Sequence, residues 1–176
     1  MKITSGCIIN INNNLLLLKH LNGRYSIPEA SLKENELLKV SCIKAIQEKT
    51  GFNIIPNAML GVYDALDRKY PERTIGVYYI AHLDILQEHA EKLVQEFNAS
   101  MSLKSKESKA IQDVESSFQK DAVSTHYELV LLSLVDIANQ EYLYDHKTIM
   151  NNYFRILMLG SQTFTKKKEE NDENKE

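Results

Sequence analysis

The sequence predicts a mixed α/β (α+β) sandwich built as one domain, because its strand-like and helix-like segments follow one another in an irregular order. Two β-like runs, at 3–11 and 15–19, are followed by a helix, by further strands and by a terminal helix. A doubly wound sheet would instead alternate strands and helices regularly. The length of 176 residues suits one domain with a full-sized core.

The first half of the chain predicts a hairpin and an amphipathic helix. Residues 12–14 are three consecutive asparagines between the two β-like runs, and asparagine tolerates the positive φ of a hairpin turn. A helix is predicted over about 36–49, and Gly51 suits the left-handed conformation that ends a helix. The predicted buried stripe of this helix has a spacing of three and consists of Leu37, Val40, Ile43 and Ile46.

The second half of the chain predicts strands near 54–55, 60–63 and 74–81, and a helix over 84–97. A polar segment over 98–126 has no predicted structure. Residues 127–138 are typical of a strand that passes into a short helix, and a final helix is predicted over about 146–159. We therefore expect one domain over 1–160, with an insertion at about 84–126, and a disordered, charged tail over 161–176.

Composition argues against several classes of partner. The formal net charge of −3 lacks the surplus of Lys and Arg that a nucleic-acid partner requires. No apolar stretch reaches the roughly 18 residues of a membrane span. Cys7 and Cys42 lie within apolar stretches, which is typical of buried thiols in a reducing compartment. We expect a cytoplasmic protein with no nucleic-acid partner and no membrane partner.

Residues 30–52 carry a spaced motif that resembles the Nudix box. The pattern of the Nudix family is G-x5-E-x7-R-E-U-x-E-E-x-G-U, where U is a bulky aliphatic residue. Here Ala30 is followed after five residues by Glu36, and after seven more by the segment 44–52, KAIQEKTGF. The spacing is kept without a gap. The resemblance implies a Nudix-type α/β/α sandwich around a mixed β-sheet, with the segment 84–126 as a helical and polar insertion.

Other segments resemble the ADP-ribose and nucleotide pyrophosphatase branch of this family. They are Gly61–Asp64 with Arg68 ahead of the strand 74–81, and Leu143–His146 ahead of the last helix. Tyr25–Pro28 resembles the aromatic-x-aliphatic-Pro lead-in of the family as a whole. The resemblance implies a nucleotide or nucleotide-sugar ligand such as ADP-ribose. Its candidate ligand contacts, which are otherwise ordinary surface or core residues, are Arg24, Tyr25, Arg68 and Arg73. Asp145 has a simpler interpretation as the N-cap of the last helix.

The motif also departs from the family at its metal-binding positions. In the family, glutamates on one helix face hold Mg²⁺ against a diphosphate. Two of those positions are Ala45, which has no side-chain oxygen, and Lys49, which carries a cation. Glu48 alone remains, either as a residual metal ligand or acid–base group or as a surface charge. Lys49 is either an exposed lysine or a direct contact to a ligand phosphate in place of the metal.

The motif positions that support the loop and the helix carry residues similar to those of the family. Glu36 and Lys44 occupy the positions whose carboxylate–guanidinium contact ties the loop to the helix in the family. Lysine cannot make the bidentate contact of arginine, so a weaker tie is expected. Gly51 retains the family's glycine, whereas Glu29 and Ala30 replace the usual glycine pair, where a backbone carbonyl helps to bind the metal.

Three functions follow from this resemblance and its departures. The first is a degenerate Nudix protein that binds an ADP-ribose-like nucleotide, with Mg²⁺-dependent pyrophosphohydrolase activity weak or lost. The second is an active pyrophosphohydrolase with a rebuilt metal site, for example from Glu48 and Glu29. The third is a non-catalytic scaffold whose insertion contacts a protein partner. A homodimer is compatible with all three, since many members of the family are dimers.

Overall fold

A computed structural model of the chain describes residues 1–64, 73–112 and 126–173. Within these ranges the chain forms a seven-stranded mixed sheet and four helices. The strands are β1 (Lys2–Ile11), β2 (Asn14–His20), β3 (Tyr25–Ser26), β4 (Glu29–Ser31), β5 (Ala58–Tyr63), β6 (Thr74–Leu83) and β7 (Tyr127–Ser133). The helices are α1 (Leu38–Thr50), α2 (Gln87–Gln112), α3 (Leu134–Ile137) and α4 (His146–Glu173).

The β1–β2 hairpin is formed as the asparagine run predicts. Asn12 and Asn13 have φ values of 50° and 65°, and Ile11 pairs with Asn14 across the turn. Asparagine adopts this left-handed region more readily than most residues, because its short polar side chain can hydrogen-bond locally. The Asn10 side chain accepts a hydrogen bond from the Asn13 N–H at 3.0 Å, which supports the turn.

Strand β1 organises the sheet around the motif. Its full length pairs in parallel with β6, while its first half pairs in antiparallel fashion with β4 and its end pairs with β2. Strand β2 in turn pairs with β3 and, along its whole length, with β7. Strand β4 therefore lies beside β1 immediately before the loop that leads into α1, and this position fixes Glu29 relative to the helix.

Helices cover both faces of the sheet and confirm the predicted α/β/α sandwich. On one face, Cys42 and Ile46 of α1 and Ala90 and Val94 of α2 pack in a single buried cluster with the sheet. The opposite face packs against α3 and α4 through a second cluster, which includes Ile137, Ile149, Met150 and Tyr153. No helix among the described residues is long and apolar enough to cross a membrane.

The predicted buried stripe of α1 is wrong in part. Leu37 precedes the helix and is 75% exposed, and Val40 is 40% exposed, whereas Cys42, Ala45 and Ile46 are buried. A spacing of three throughout moves steadily around a helix with 3.6 residues per turn. A stripe that stays on one face mixes steps of three and four, as the buried residues of α1 do.

Several element boundaries also differ from the prediction. The segment 54–55 is not a strand, and β5 begins at Ala58. Helix α2 continues to Gln112, beyond the predicted end near 97, through a region that was expected to lack structure. Helix α4 continues to Glu173, through most of the segment expected to be a disordered tail, and this corrects the predicted end near 159. Both extensions contain several Lys and Glu residues, which favour helix even without apolar periodicity.

Candidate functional site

The C-terminal half of α1 presents the substituted motif positions to different surroundings. The Ala45 methyl group is buried, at 3% exposure, in the interface between helix and sheet. Glu48 is exposed, and Lys49 is half-buried at the last turn of the helix. The helix then stops at Gly51, which has a φ of 75° and donates its N–H to the Gln47 carbonyl at 2.9 Å. The left-handed cap is therefore formed as the sequence predicts.

Lys49 lies in a mixed electrostatic environment. Burial lowers the pKa of its ammonium group, the carboxylates of Glu29 and Glu48 oppose that shift, and Lys2 adds to it. An opposite charge acts on a pKa in this way only at short range. The charge of Lys49 therefore interacts with the carboxylates of Glu29 on β4 and Glu48 on α1.

Glu29 is held by a buried hydrogen-bond relay that joins β4, β6 and α4. Tyr78 donates its hydroxyl to Glu29 Oε2 at 2.5 Å, and the same hydroxyl lies 3.0 Å from His146 Nε2. The other ring nitrogen, His146 Nδ1, accepts the Ile27 N–H at 3.0 Å. Because Nδ1 accepts, the proton of the neutral ring lies on Nε2 and is donated towards the Tyr78 hydroxyl. The relay therefore runs from the backbone of Ile27 to the carboxylate of Glu29.

Gly6 makes room for this relay on β1. A Cβ atom at this position would lie 2.7 Å from Tyr78 Cε1, 2.9 Å from Glu29 Cβ and 3.0 Å from the Pro28 carbonyl oxygen. Tyr78 is fully buried and makes edge-on contacts with Tyr63 and with His146. Only a residue without a side chain fits beneath such closely packed groups.

The sequence did not predict Tyr78 or His146 as site residues. Tyr78 was part of an apolar strand, and His146 was interpreted as the start of a helix behind the cap Asp145. In the structure His146 is 1% exposed, and its Nε2 lies 3.6 Å from Glu29 Oε1. These residues are 49 to 119 positions apart from their relay partners along the chain, so no local pattern could reveal the contacts.

Comparison with solved structures gives this architecture a name. A mutT/nudix family protein from Listeria innocua matches with a TM-score of 0.61 at 15% identity, over 92% of this chain and 97% of that chain. A NUDIX hydrolase from Nitrosomonas europaea matches with a TM-score of 0.58 at 13% identity, over 88% of both chains. The NUDIX domain of Shewanella oneidensis NrtR, solved with ADP ribose, matches with a TM-score of 0.57 at 16% identity, over 88% of this chain and 87% of that chain.

The chain has the Nudix fold. No protein-family model matches it, and no curated protein matches its sequence. The likeness therefore rests on three-dimensional structure at low sequence identity, and a fold by itself does not specify a reaction. What this Nudix-fold chain can do chemically must be argued from its own side chains.

The carboxylate set that the Nudix resemblance implies for Mg²⁺ does not fit the residues present. Ala45 contributes a buried methyl group, and Lys49 brings an ammonium group to the carboxylates of Glu29 and Glu48. Among the residues that the structure describes, no three His, Cys, Asp or Glu side chains are grouped so that they could hold a metal ion. Mg²⁺ prefers an octahedral shell of oxygens, and a lysine beside the two carboxylates offers it a repulsive charge instead.

The structural pair of the Nudix motif is formed. Lys44 Nζ lies 2.6 Å from Glu36 Oε1, and this hydrogen bond is the main reason that the pKa of Glu36 lies below its ordinary value. The contact joins the loop before α1 to the middle of the helix. A single lysine nitrogen makes it, in place of the two parallel hydrogen bonds that an arginine could form.

The remaining candidate ligand contacts lie in different settings. Arg24 is exposed, with Nε 3.7 Å from a carboxylate oxygen of Glu141, while the neighbouring Tyr25 is 9% exposed and packs in the core cluster on the α4 face. Arg73 forms a two-point contact with Asp64. Arg68 lies outside the described residues. Lys49 thus interacts electrostatically with Glu48 and Glu29. Arg24 and Arg73 instead form ion pairs with Glu141 and Asp64.

Proposed function

We propose that this Nudix-fold protein binds a nucleoside-diphosphate-linked ligand of the ADP-ribose type without needing Mg²⁺, and that its pyrophosphohydrolase activity is weak or lost. Lys49 is the group that we assign to the ligand's phosphates. The observation that carries the proposal is the half-buried ammonium group near Glu29 and Glu48, at a motif position where the family places a metal-binding carboxylate.

The electrostatics of Lys49 support a phosphate-binding role. Burial lowers its pKa, so the surroundings hold a cation that is incompletely solvated. An anionic phosphate in direct contact with the ammonium group would add to the opposite charge that Glu29 and Glu48 supply, and lysine binds phosphate well as a point charge. Perturbed ionisable groups of this kind are concentrated at functional sites. The solved NrtR NUDIX domain, which shares this fold, is complexed with ADP ribose, and this favours the same ligand class here.

The proposal is tested by thermal unfolding of the protein with ADP-ribose, once in the presence of Mg²⁺ and once in the presence of EDTA. A ligand at 100 times its dissociation constant should stabilise the protein by about 2.7 kcal/mol. We expect the wild-type protein to be stabilised equally in both buffers, and Lys49→Met to lose the shift in both. A shift that appears only with Mg²⁺, together with rapid hydrolysis of ADP-ribose, would instead establish an active enzyme with a rebuilt metal site.

A charge-reversal variant provides the matched control. Lys49→Glu places a third carboxylate near Glu29 and Glu48 and restores the acidic character of the motif position. Three clustered carboxylates repel one another, and a divalent cation relieves that repulsion. We expect Mg²⁺ alone to raise the melting temperature of Lys49→Glu and to leave that of Lys49→Met unchanged. An equal response of the two variants would contradict the assignment of this position to the former metal site.

A further inference from the structure

A cavity of about 610 Å³ lies where the end of β2, the start of β7 and the middle of α2 meet. Its walls include His20, Leu21, Asn98, Met101, Ser102 and Tyr127. We call this space the α2 cavity. Its volume lies within the roughly 300–1,000 Å³ of small-molecule sites, and neither the motif nor the relay around Glu29 includes its walls.

The α2 cavity adjoins the end of α1. Tyr127 donates its hydroxyl to the Lys49 carbonyl oxygen at 3.0 Å, so one wall residue is anchored to the backbone of the lysine itself. His20, on another wall, is close enough to Lys49 for the charge of the lysine to affect the imidazole. The α2 cavity therefore lies next to the residue to which we assign the ligand's phosphates.

Two neutral rings line the α2 cavity. His20 and Tyr127 have ring centroids 6.4 Å apart and an interplanar angle of 57°, and His20 Nε2 lies 2.7 Å from the Ser26 hydroxyl. Burial lowers the pKa of His20, and the positive charge of Lys49 lowers it further. Burial raises the pKa of Tyr127. Both rings are uncharged at neutral pH and can stack against an uncharged planar group, although Lys19 and Glu128 also line the cavity.

The α2 wall of the cavity is fixed in place. Asn98 donates its side-chain amide to the Leu129 carbonyl at 2.9 Å and accepts the Leu129 N–H at 2.8 Å, so α2 is pinned to β7 by both amide atoms. Met101 and Ser102 follow on the next turn and line the cavity. Methionine adapts its shape to planar ligands through a flexible, polarisable side chain. A cavity whose backbone is held in place and whose Met101 side chain is adaptable is suited to binding a planar ring.

We propose that the α2 cavity binds the nucleobase end of a nucleoside diphosphate whose phosphates contact Lys49. The proposal rests on the function proposed above and assigns the base to a site formed by the insertion rather than to Arg24 and Tyr25. It predicts that filling the cavity weakens binding of the whole nucleotide while binding of the phosphates alone is retained.

Two tryptophan substitutions on α2 test this assignment. Ser102 lines the cavity, whereas Ser100 is an exposed serine of the same helix that is absent from the cavity wall. Each hydroxyl donates to a backbone carbonyl of α2, Ser100 to Phe97 and Ser102 to Asn98, so the two positions are closely matched. Binding of ADP-ribose and of inorganic pyrophosphate is measured by calorimetry for the wild type, Ser102→Trp and Ser100→Trp.

We expect Ser102→Trp to weaken ADP-ribose binding at least tenfold and to leave pyrophosphate binding unchanged, with Ser100→Trp unchanged for both probes. Retained pyrophosphate binding also verifies that the Ser102→Trp protein is folded. Wild-type affinity of Ser102→Trp for ADP-ribose, or loss of both probes in that variant, would overturn the cavity assignment alone. Failure of the wild type to bind either probe would overturn the proposed function and the cavity assignment together.

Discussion

In the proposed function, Lys49 is the residue at which stability and binding oppose each other. Burial of its ammonium group lowers its pKa despite the carboxylates of Glu29 and Glu48, so the charged form is less favourable in the folded protein than in the unfolded chain. Groups that serve a ligand often reduce the stability of the free protein in this way. A residue kept only for the fold would not need to be a cation at this position.

This conflict predicts a characteristic pH dependence for Lys49→Met. A lysine with a lowered pKa in the folded state binds fewer protons than in the unfolded chain, so its contribution to stability becomes less unfavourable as the pH rises through the folded pKa. We expect Lys49→Met to be at least as stable as the wild type at pH 7. Between pH 7 and the pH range in which lysine ordinarily titrates, the free energy of unfolding of the wild type should rise relative to that of the variant, as measured by urea unfolding. A stability difference between wild type and Lys49→Met that does not change with pH would contradict the lowered pKa of a buried Lys49 cation.

The buried relay makes a second prediction at the residue scale. Tyr78→Phe removes the hydroxyl that donates to Glu29 and lies next to His146 Nε2. Loss of a buried, charge-assisted hydrogen bond costs about 1–3 kcal/mol, and we expect the free energy of unfolding to fall by that amount. Tyr63→Phe is the control. Among the described residues, the Tyr63 hydroxyl has only one long hydrogen bond of 3.3 Å, which it accepts from the Asn152 side-chain amide. Equal stabilities of the two variants would contradict the importance of the relay.

The sequence predicted those site residues whose partners lie at fixed motif spacings. Glu36 and Lys44 are eight positions apart and form the expected ion pair, and Gly51 adopts the expected left-handed conformation. Tyr78 and His146 could not be predicted, because the relay joins three elements that only the folded sheet brings together. The sequence alone places Ala45 and Lys49 at positions where the Nudix pattern has glutamates, whereas the electrostatic effect of Glu29 on Lys49 required the structure.

At the scale of elements, types were easier to predict than ends. The hairpin, the motif helix and the strand β6 occur where alternating or helical patterns predicted them. Helices α2 and α4 continue into polar segments that contain few apolar residues, where the sequence shows no apolar periodicity. Apolar periodicity reports packing against a core, so it cannot locate the end of a helix that extends beyond the core.

Asn98 joins helix α2 to strand β7. Asn98 makes two hydrogen bonds to the backbone of Leu129, one through each atom of its amide. Asn98→Ala leaves both backbone groups without that partner, and we expect a loss of about 1–3 kcal/mol in unfolding free energy. Faster hydrogen exchange of the Leu129 amide should accompany the loss. Gln95→Ala, at an exposed position of the same helix, should leave both quantities unchanged, and similar losses in the two variants would contradict this role of Asn98.

At the scale of the whole molecule, the Nudix fold could be predicted although the sequence matches no family model. The fold depends on the order of strands, on the loop–helix motif and on two apolar faces, and all three survive extensive substitution. The two buried clusters on opposite faces of the sheet show how the apolar positions are used. The reaction does not follow from the fold in the same way, because exchange of a few side chains can remove a metal site while the sandwich persists.

The central claim is that Lys49 replaces the metal as the group that holds the ligand's phosphates. Titration of the wild-type protein with ADP-ribose by calorimetry, once in EDTA and once in excess Mg²⁺, tests it most directly. We predict the same dissociation constant in both buffers, and at least tenfold weaker binding by Lys49→Met, which corresponds to the loss of about 1.4 kcal/mol. Binding that requires Mg²⁺ and persists in Lys49→Met would contradict the claim.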